Sequence, residues 1–314
     1  MKKRKVGILY DNISRNTGDL AIGLSVKYIL SQLGLKSKDY VDLIPGFSDT
    51  NRCEKIIIGG GLLLRPKGDP LYDKFKIRGR HILNSVGIDE NPLDLDYLNK
   101  YRYLSVRSTG DKAKLSYLKK DVRVVPCTTM LLKDTKVNVE IKKNAVGIHC
   151  YQTGNDIKKC ISDYLPMINI LKKNYTVYLL PITHYNYDYE FQNILSKEIN
   201  SSRIIPLPKL KPLEIFSLIG KFKFFASQSL HGAIFSYVHN IPFILWSKLD
   251  YDEKDKKMRY FMHDRNLENY LFQLSDIKSR MDLLLDSRPD YSKNIAADLK
   301  KLQNHINRIG EILV

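Results

Sequence analysis

The chain has 314 residues, long enough for two domains with separate cores, and carries a formal net charge of +17. Its 43% hydrophobic content excludes wholesale disorder, and no apolar stretch approaches the roughly 18–20 residues of a membrane span. The charge leaves nucleic acid, an anionic membrane surface or an acidic substrate as candidate partners. The lack of an Arg/Gly tract or a nucleic-acid motif disfavours the first. The joint abundance of Lys, Asn, Ile and Tyr offers a plainer source, an A/T-rich coding bias.

The basic lead over residues 1–5 runs into an apolar segment that stops at Tyr10 and meets Asp11 and Asn12. That segment is too short for the hydrophobic region of a signal peptide, so residues 6–10 read as the first strand of a cytoplasmic protein. In that compartment Cys53, Cys127, Cys150 and Cys160, which lack CxxC or zinc-ligand spacing, are expected as thiols. A polar loop over 11–19 follows, then a helix with Ile22, Val26, Ile29, Leu30 and Leu33 on one face. Asp19 is its expected N-cap and Gly34 its end. Asn16, Gly18 and Asp19 then fall at the carboxyl edge of a parallel sheet, where ligands of open α/β sheets bind.

Ile56, Ile57 and Ile58, followed by Gly59, Gly60 and Gly61, read as a buried strand breaking into a loop where the backbone approaches a neighbour closely. No GxGxxG spacing and no GKS/T is present, so neither a dinucleotide fingerprint nor a P-loop is supported. Residues 81–87 form another strand-to-loop element. A strand over 103–107 ends in Arg107, ahead of a small polar loop and a helix over 113–118. An arginine there can fork onto a carboxylate or phosphate, or pair with Asp111 on the surface. Residues 122–132 close this half, and the charged stretch 133–144 is the expected interdomain connection.

In the second half, strands over 145–150, 175–180 and 202–206 alternate with helices over 157–172 and from Pro212 to Gly220. The densest stretch is 222–246: an apolar strand over 222–226, a tight polar loop over 227–230, a short helix over 231–238 and a strand over 242–246. This β–loop–α–β unit signals a parallel sheet. It puts His231 and Gly232 at a helix N-terminus, where unpaired amides and the dipole favour an anion. A charged segment and a helix through Phe261 follow. Ile295, Leu299, Leu302, Ile306, Ile309 and Leu313 then repeat at helical spacing, an amphipathic helix expected to pack on the body. The expected class is α/β, with domains over 1–140 and 141–285 and a C-terminal helix over 286–314.

These pieces together resemble the polysaccharide pyruvyltransferase family over nearly the whole chain. Asn16-Thr-Gly-Asp-Leu-Ala-Ile22 looks like its N-x-G-D-x-A-I, and Ile57-Ile-Gly-Gly-Gly-Leu-Leu63 like its strand and triple glycine. Val106-Arg107 is similar to its V-R element. Ser227-Gln-Ser-Leu-His-Gly-Ala233 with Ile241-Pro-Phe243 is similar to its S-x-R-L-H-G-A … G-I-P-x block, and Tyr251-Asp-Glu-Lys254 fits the Y-x-x-K that follows. Any one of these is weak; their shared order and spacing is specific.

The resemblance implies two Rossmann-like domains facing across a cleft, a glycosyltransferase-B-like (GT-B-like) architecture with the site in the cleft. It implies transfer of a pyruvyl group from phosphoenolpyruvate onto two hydroxyls of a sugar as a cyclic ketal. The donor is a substrate and no cofactor or metal is expected. The acceptor is a lipid- or nucleotide-linked precursor of a cell-surface polysaccharide, met in the cytoplasm or at the inner face of the membrane. Peripheral contact with an anionic membrane and an oligomeric state both stay open.

His231 is the implied acid, with Arg107, Asn16, Gly18, Asp19, Gly60, Gly61, Ser229, Leu230, Gly232 and Lys254 around the donor. The family's arginine two residues before the histidine is Ser229 here, and Lys248, Lys254 or Arg259 are the cations that could replace its charge. This departure keeps two alternatives open: a divergent GT-B-like transferase using another donor such as a sugar nucleotide, or a non-catalytic glycan- or nucleic-acid-binding protein. His149 and His184 lie near expected strand ends and could face the cleft. His239, in a helix-to-strand turn, reads as structural.

Overall fold

Two all-parallel sheets organise the chain in the computed structural model, which describes residues 5–66, 68–69, 72–89, 94–135, 137–151, 156–182, 188–208, 210–247, 253–273, 276 and 289–313. One compact unit takes the chain up to Arg15, then Asp19–Leu132 and the segment from Ala296; the other takes Asn16–Gly18 and Lys133–Ile295.

The first unit holds β1 (Lys5–Leu9), β2 (Tyr40–Leu43), β3 (Cys53–Gly59), β4 (Leu62–Leu64), β5 (Ile82–Ile88), β6 (Tyr103–Val106) and β7 (Val122–Val124). Their order is β2-β1-β3-β5-β6-β7, with β4, which the sequence pattern did not separate from the glycine loop, pairing β5. Helices α1 (Thr17–Gln32), α2 (Tyr72–Phe75) and α3 (Thr109–Ala113) belong to this half of the chain. Side chains alternate across each strand, so one face collects Ile8 and Ile57 with Val26, Ile29 and Leu30 of α1. The other face collects Leu9, Ile56 and Ile58 with Phe75, Leu98, Tyr101 and Leu115. Unbroken apolar runs such as Ile56–Ile58 are what a strand covered on both faces requires.

The second unit holds β8 (Ala145–Ile148), β9 (Thr176–Leu179), β10 (Ile204–Pro206), β11 (Phe225–Ser227), β12 (Phe243–Ser247) and β13 (Leu271–Gln273), in the order β10-β9-β8-β11-β12-β13. Counted within the unit, that is the 3-2-1-4-5-6 order of a Rossmann sheet. The helices are α4 (Ile157–Asn174), α5 (Asp188–Ile199), α6 (Pro212–Ile219), α7 (Leu230–Val238) and α8 (Glu253–His263), while α9 (Ser292–Leu313) starts in this unit and from Ala296 belongs to the first. Val146, Ile148, Val177, Leu179, Phe224 and Trp246 pack against Tyr164, Met167, Ile168 and Leu171 of α4 and Phe191 and Leu195 of α5.

Local chemistry moves several expected boundaries. Helix α1 begins at Thr17, and Asn16 Oδ1 accepts the Gly18 amide at 2.9 Å, so Asn16 takes the capping role expected of Asp19. Asp19 lies in the first turn, where a carboxylate suits the helix dipole. Helix α3 starts four residues earlier than expected because Ser108 caps it. The Ser108 hydroxyl accepts the Asp111 amide at 3.0 Å and donates to the Asp111 carboxylate at 2.5 Å.

Helix α9 carries a feature that its apolar spacing did not indicate: Asp298 and His305 are buried with its apolar face. The Tyr103 hydroxyl lies 2.9 Å from His305 Nδ1, and His305 Nε2 lies 2.6 Å from Asn84 Oδ1. Asn84 Oδ1 can only accept, so Nε2 carries the hydrogen and Tyr103 donates to Nδ1. Burial drives the imidazole pKa down to about 3 and the Tyr103 phenol up to about 12. The chain of bonds continues from Asn84 to Thr128 and from Thr128 to Ser25 of α1.

Candidate functional site

In open parallel sheets, ligands bind outside the carboxyl ends of the strands, where the strand order reverses. In the second sheet that point lies between β8 and β11, and the residues just beyond these strands are His149 and Gln228–His231. In the first it lies between β1 and β3, which lead into the loop before Asn16 and into Gly60 and Gly61. Both motif-bearing loops therefore occupy the switch points of their own sheets.

In the second unit, Ser227 turns the chain from β11 into α7. Its hydroxyl accepts the Ser229 amide at 2.9 Å and donates back to the Ser229 carbonyl at 3.0 Å. Ser229 stands at the N-cap position with extended backbone and makes no side-chain cap bond, leaving α7 to start at Leu230, one residue earlier than expected. Leu230 and His231 are buried. A Cβ on Gly232 would fall 2.2 Å from Ser227 Oγ, so a glycine is needed for the turn to close on the helix.

The His231 ring packs closely against Gly18. A Cβ there would fall 1.8 Å from Nδ1 and 2.1 Å from Cγ. The tripeptide Asn16–Gly18 is thereby part of the second unit, where the Thr17 amide also donates to the Ile182 carbonyl at 3.0 Å. Two motifs more than two hundred residues apart in sequence thus meet at one side chain.

Beneath this surface lies a buried polar layer. His149 Nε2 is 2.8 Å from Asp188 Oδ2, which also accepts the Ile182 amide at 3.1 Å. Both side chains are fully buried, so His149, expected as a residue that could face the cleft, instead joins this layer at the strand ends. Tyr164 donates to the Tyr151 carbonyl at 2.9 Å and also bonds the Gln228 amide oxygen. His239 is structural in the sense expected: its ring centroid lies 4.6 Å from that of Phe216 at a tilt of 56°, and burial lowers its pKa to about 4.

In the first unit, Gly60 and Gly61 adopt φ of +59° and +71°, a left-handed conformation that glycine enters without a Cβ clash. The neighbours they approach closely are on α1: a Cβ would meet Ile22 at 2.3 Å from Gly60 and Asp19 Oδ1 at 2.7 Å from Gly61. Arg107 is not a surface residue. Its side chain is 9% exposed and its guanidinium lies against Gly87, where a Cβ would fall 2.2 Å from Nη2.

Asp111 is 3.8 Å from Arg107 Nε, too long for a hydrogen bond, and its oxygens already hold the Ile88 amide at 2.8 Å and the Ser108 hydroxyl. Arg107 Nη2 is buried with no hydrogen-bond partner among the described residues. Burial pushes the neighbouring Cys127 thiol up, a hydrogen bond with Thr129 and the Arg107 charge oppose that rise, and Asp19 reinforces it. Asp19, Arg107 and Cys127 therefore share one electrostatic neighbourhood.

The candidate residues thus fall into two groups. Asn16, Gly18, Ser229, Leu230, His231 and Gly232 belong to the second unit, and Asp19, Gly60, Gly61 and Arg107 to the first. Lys254 lies on α8, its side chain outside the described residues, as are Lys248, Tyr251 and His184. Sequence reading missed Gly87, Cys127, Asp188 and Gln228; only Gln228 had a local signal, its place inside the histidine block. The four cysteines are buried and none forms a disulfide. Among the described residues no cluster of three or more His, Cys, Asp or Glu side chains is placed to hold a metal ion.

A family model described as polysaccharide pyruvyl transferase matches residues 16–247. A sequence search of curated proteins gave no match. In structure, the chain is similar to Os79 from O. sativa, solved with U2F and trichothecene, at TM-score 0.60 and 10% identity, covering 99% of this chain and 100% of that one. It is similar to a putative UDP-N-acetylglucosamine 2-epimerase from Listeria monocytogenes at TM-score 0.57 and 11% identity, covering 93% and 91%. A third neighbour is the UDP-GlcNAc 2-epimerase of Methanocaldococcus jannaschii in complex with UDP-GlcNAc and UDP, at TM-score 0.54 and 10% identity, covering 91% and 94%. At these identities the likeness is one of fold: two Rossmann-like domains of GT-B-like architecture.

Proposed function

Because the chain belongs to the polysaccharide pyruvyl transferase family and is therefore a transferase, we propose that it moves a pyruvyl group from phosphoenolpyruvate onto a sugar of a cell-surface polysaccharide precursor, as a cyclic ketal. The observation that carries this reading is the packing of His231 on Gly18, which joins two family motifs at the switch point of the second sheet.

In the proposed reaction His231 gives a proton to C3 of the donor, turning the methylene into a methyl and leaving cationic character at C2. One sugar hydroxyl bonds to C2 and loses its proton. The C2–O bond to phosphate then breaks, phosphate departs with that oxygen and one proton, and the second hydroxyl closes the ketal. Two hydroxyl protons are released, one replacing the proton given to C3 and one leaving with phosphate.

A proton donor at a helix N-terminus needs an anion beside it, and the donor's phosphate and carboxylate supply one. Arg107, with a buried and unpaired Nη2, is the proposed fork for one of those anions, flanked by Asp19, Gly60 and Gly61. Asn16, Gly18, Ser229, Leu230, Gly232 and Lys254 complete the proposed donor-binding set. The acceptor in this proposal is lipid- or nucleotide-linked and is met in the cytoplasm or at the inner face of the membrane. Among the described residues no helix is long and apolar enough to cross a membrane.

Ser229 favours a second reading, a sugar nucleotide as donor, because it places a neutral side chain where the family carries an arginine. A thermal-shift comparison separates the two. A ligand at 100 times its Kd stabilises the native state by about 2.7 kcal/mol. Phosphoenolpyruvate is expected to raise the melting temperature and UDP-GlcNAc to leave it unchanged. A rise with UDP-GlcNAc alone would replace the first reading with the second.

A further inference from the structure

The first unit carries a basic groove along the outer edge of its sheet. It starts from Arg102 and Tyr103 at the beginning of β6 and runs along the edge strand β7, as far as Val125, and α9. Its volume is about 980 Å³, the size of a pocket for a nucleotide-sized ligand rather than a lone ion.

Six cations, Arg102, Lys119, Lys120, Arg123, Lys301 and Arg308, line it against two carboxylates, Asp121 and Glu311. Asp121 is engaged by Arg123 at 2.6 Å and Glu311 by Arg308 at 2.5 Å. The excess positive charge therefore comes from Arg102, Lys119 and Lys120, contributed by two loops that only the fold brings together. Lys120 also donates to the Tyr101 carbonyl, and Lys301 on α9 is offset by Asp298 at 3.7 Å. The floor is the Tyr103–His305 pair, whose imidazole stays neutral and adds no charge of its own.

Like charges gathered in a concave surface repel one another, and an anion seated among them removes that repulsion. Arg102 supplies a planar fork suited to phosphate oxygens, and Lys119 and Lys120 supply point charges. The groove lacks the exposed aromatic side chains on which nucleic-acid bases stack: the single tyrosine in its lining, Tyr103, is buried. We propose that this groove is a second anion site that takes the phosphate of a larger ligand, separate from the donor-binding residues. Two sources share that chemistry, a phospholipid headgroup and a soluble phosphate ester. The proposal does not depend on the identity of the transferred group.

The test uses the full chain and the double variant Arg102→Glu/Lys119→Glu, both exposed side chains whose replacement leaves the core untouched. Binding is measured to inorganic pyrophosphate by calorimetry, and to phosphatidylcholine vesicles with and without phosphatidylglycerol by cosedimentation. The double variant Lys158→Glu/Lys159→Glu, on the exposed start of α4, controls for net charge. The expected result is a loss of at least tenfold in binding to one probe in the groove variant, with the control within twofold of the parent. Loss of vesicle binding identifies a lipid headgroup, and loss of pyrophosphate binding a soluble ester; either supports the site. Equal losses in both variants, no loss in the groove variant, or a groove-dependent loss seen only with an RNA oligonucleotide would overturn it.

Discussion

Replacing His231 with alanine is expected to lower turnover by about 10²–10⁴-fold, the usual contribution of a positioned general acid. His231 is the proposed source of the C3 proton, and no ordinary water would hold a proton at that place with the same geometry. The ring is 7% exposed and touches Gly18 and Phe235, so its removal leaves a small void as well as a missing acid. His231→Gln keeps most of the side-chain volume and separates the two effects. Both variants are expected to retain the parent's circular dichroism and to bind the donor while failing to turn it over. Turnover within a few-fold of the parent in either variant would remove the proton-donor role.

Gly18→Ala carries the second large effect, and it acts by displacing the ring of the proposed acid. The new Cβ would fall 1.8, 2.1 and 2.5 Å from Nδ1, Cγ and Cε1 of His231, separations that no real methyl group tolerates. The ring must move by roughly 1 Å or more, and a misplacement of about 1 Å at a reacting group costs on the order of 10²-fold in rate. Gly18 is in the first turn of α1, where alanine is a better helix former than glycine, so global stability should hold. The double variant Gly18→Ala/His231→Ala should be no slower than His231→Ala alone, because both changes act on the same imidazole. Additive losses would show that Gly18 does something other than hold the ring.

Much of the fold is legible in the chain. Unbroken apolar runs and apolar spacing near 3.6 locate most of the strands and the long helices, and Gly59–Gly61 announces a close approach of backbone to a neighbour. The same signals misplace the ends of α1 and α3, because Asn16 and Ser108 cap earlier than the apolar pattern begins. Local pattern cannot show which distant residue completes a buried polar pair. His149 finds Asp188 thirty-nine positions away and His305 finds Asn84 across 221, pairings fixed by sheet order rather than by neighbours in sequence.

Arg107 illustrates the same limit within one unit. Its place at a strand end is readable, but not its burial against Gly87, which lies on the adjacent strand β5. The candidate site was legible as motifs, each weak alone. What the structure adds is the contact between Gly18 and His231, and the placing of Asn16–Gly18 with the second unit although α1 belongs mostly to the first.

The donor is decided by following the reaction in deuterated water with phosphoenolpyruvate and a panel of lipid- and nucleotide-linked sugars. Pyruvyl transfer gives one phosphate released for each ketal formed and a ketal methyl carrying deuterium at C3, with both products formed at least about 10²-fold more slowly by His231→Ala. Consumption of a sugar nucleotide with release of its nucleotide, while phosphoenolpyruvate stays intact, would contradict it.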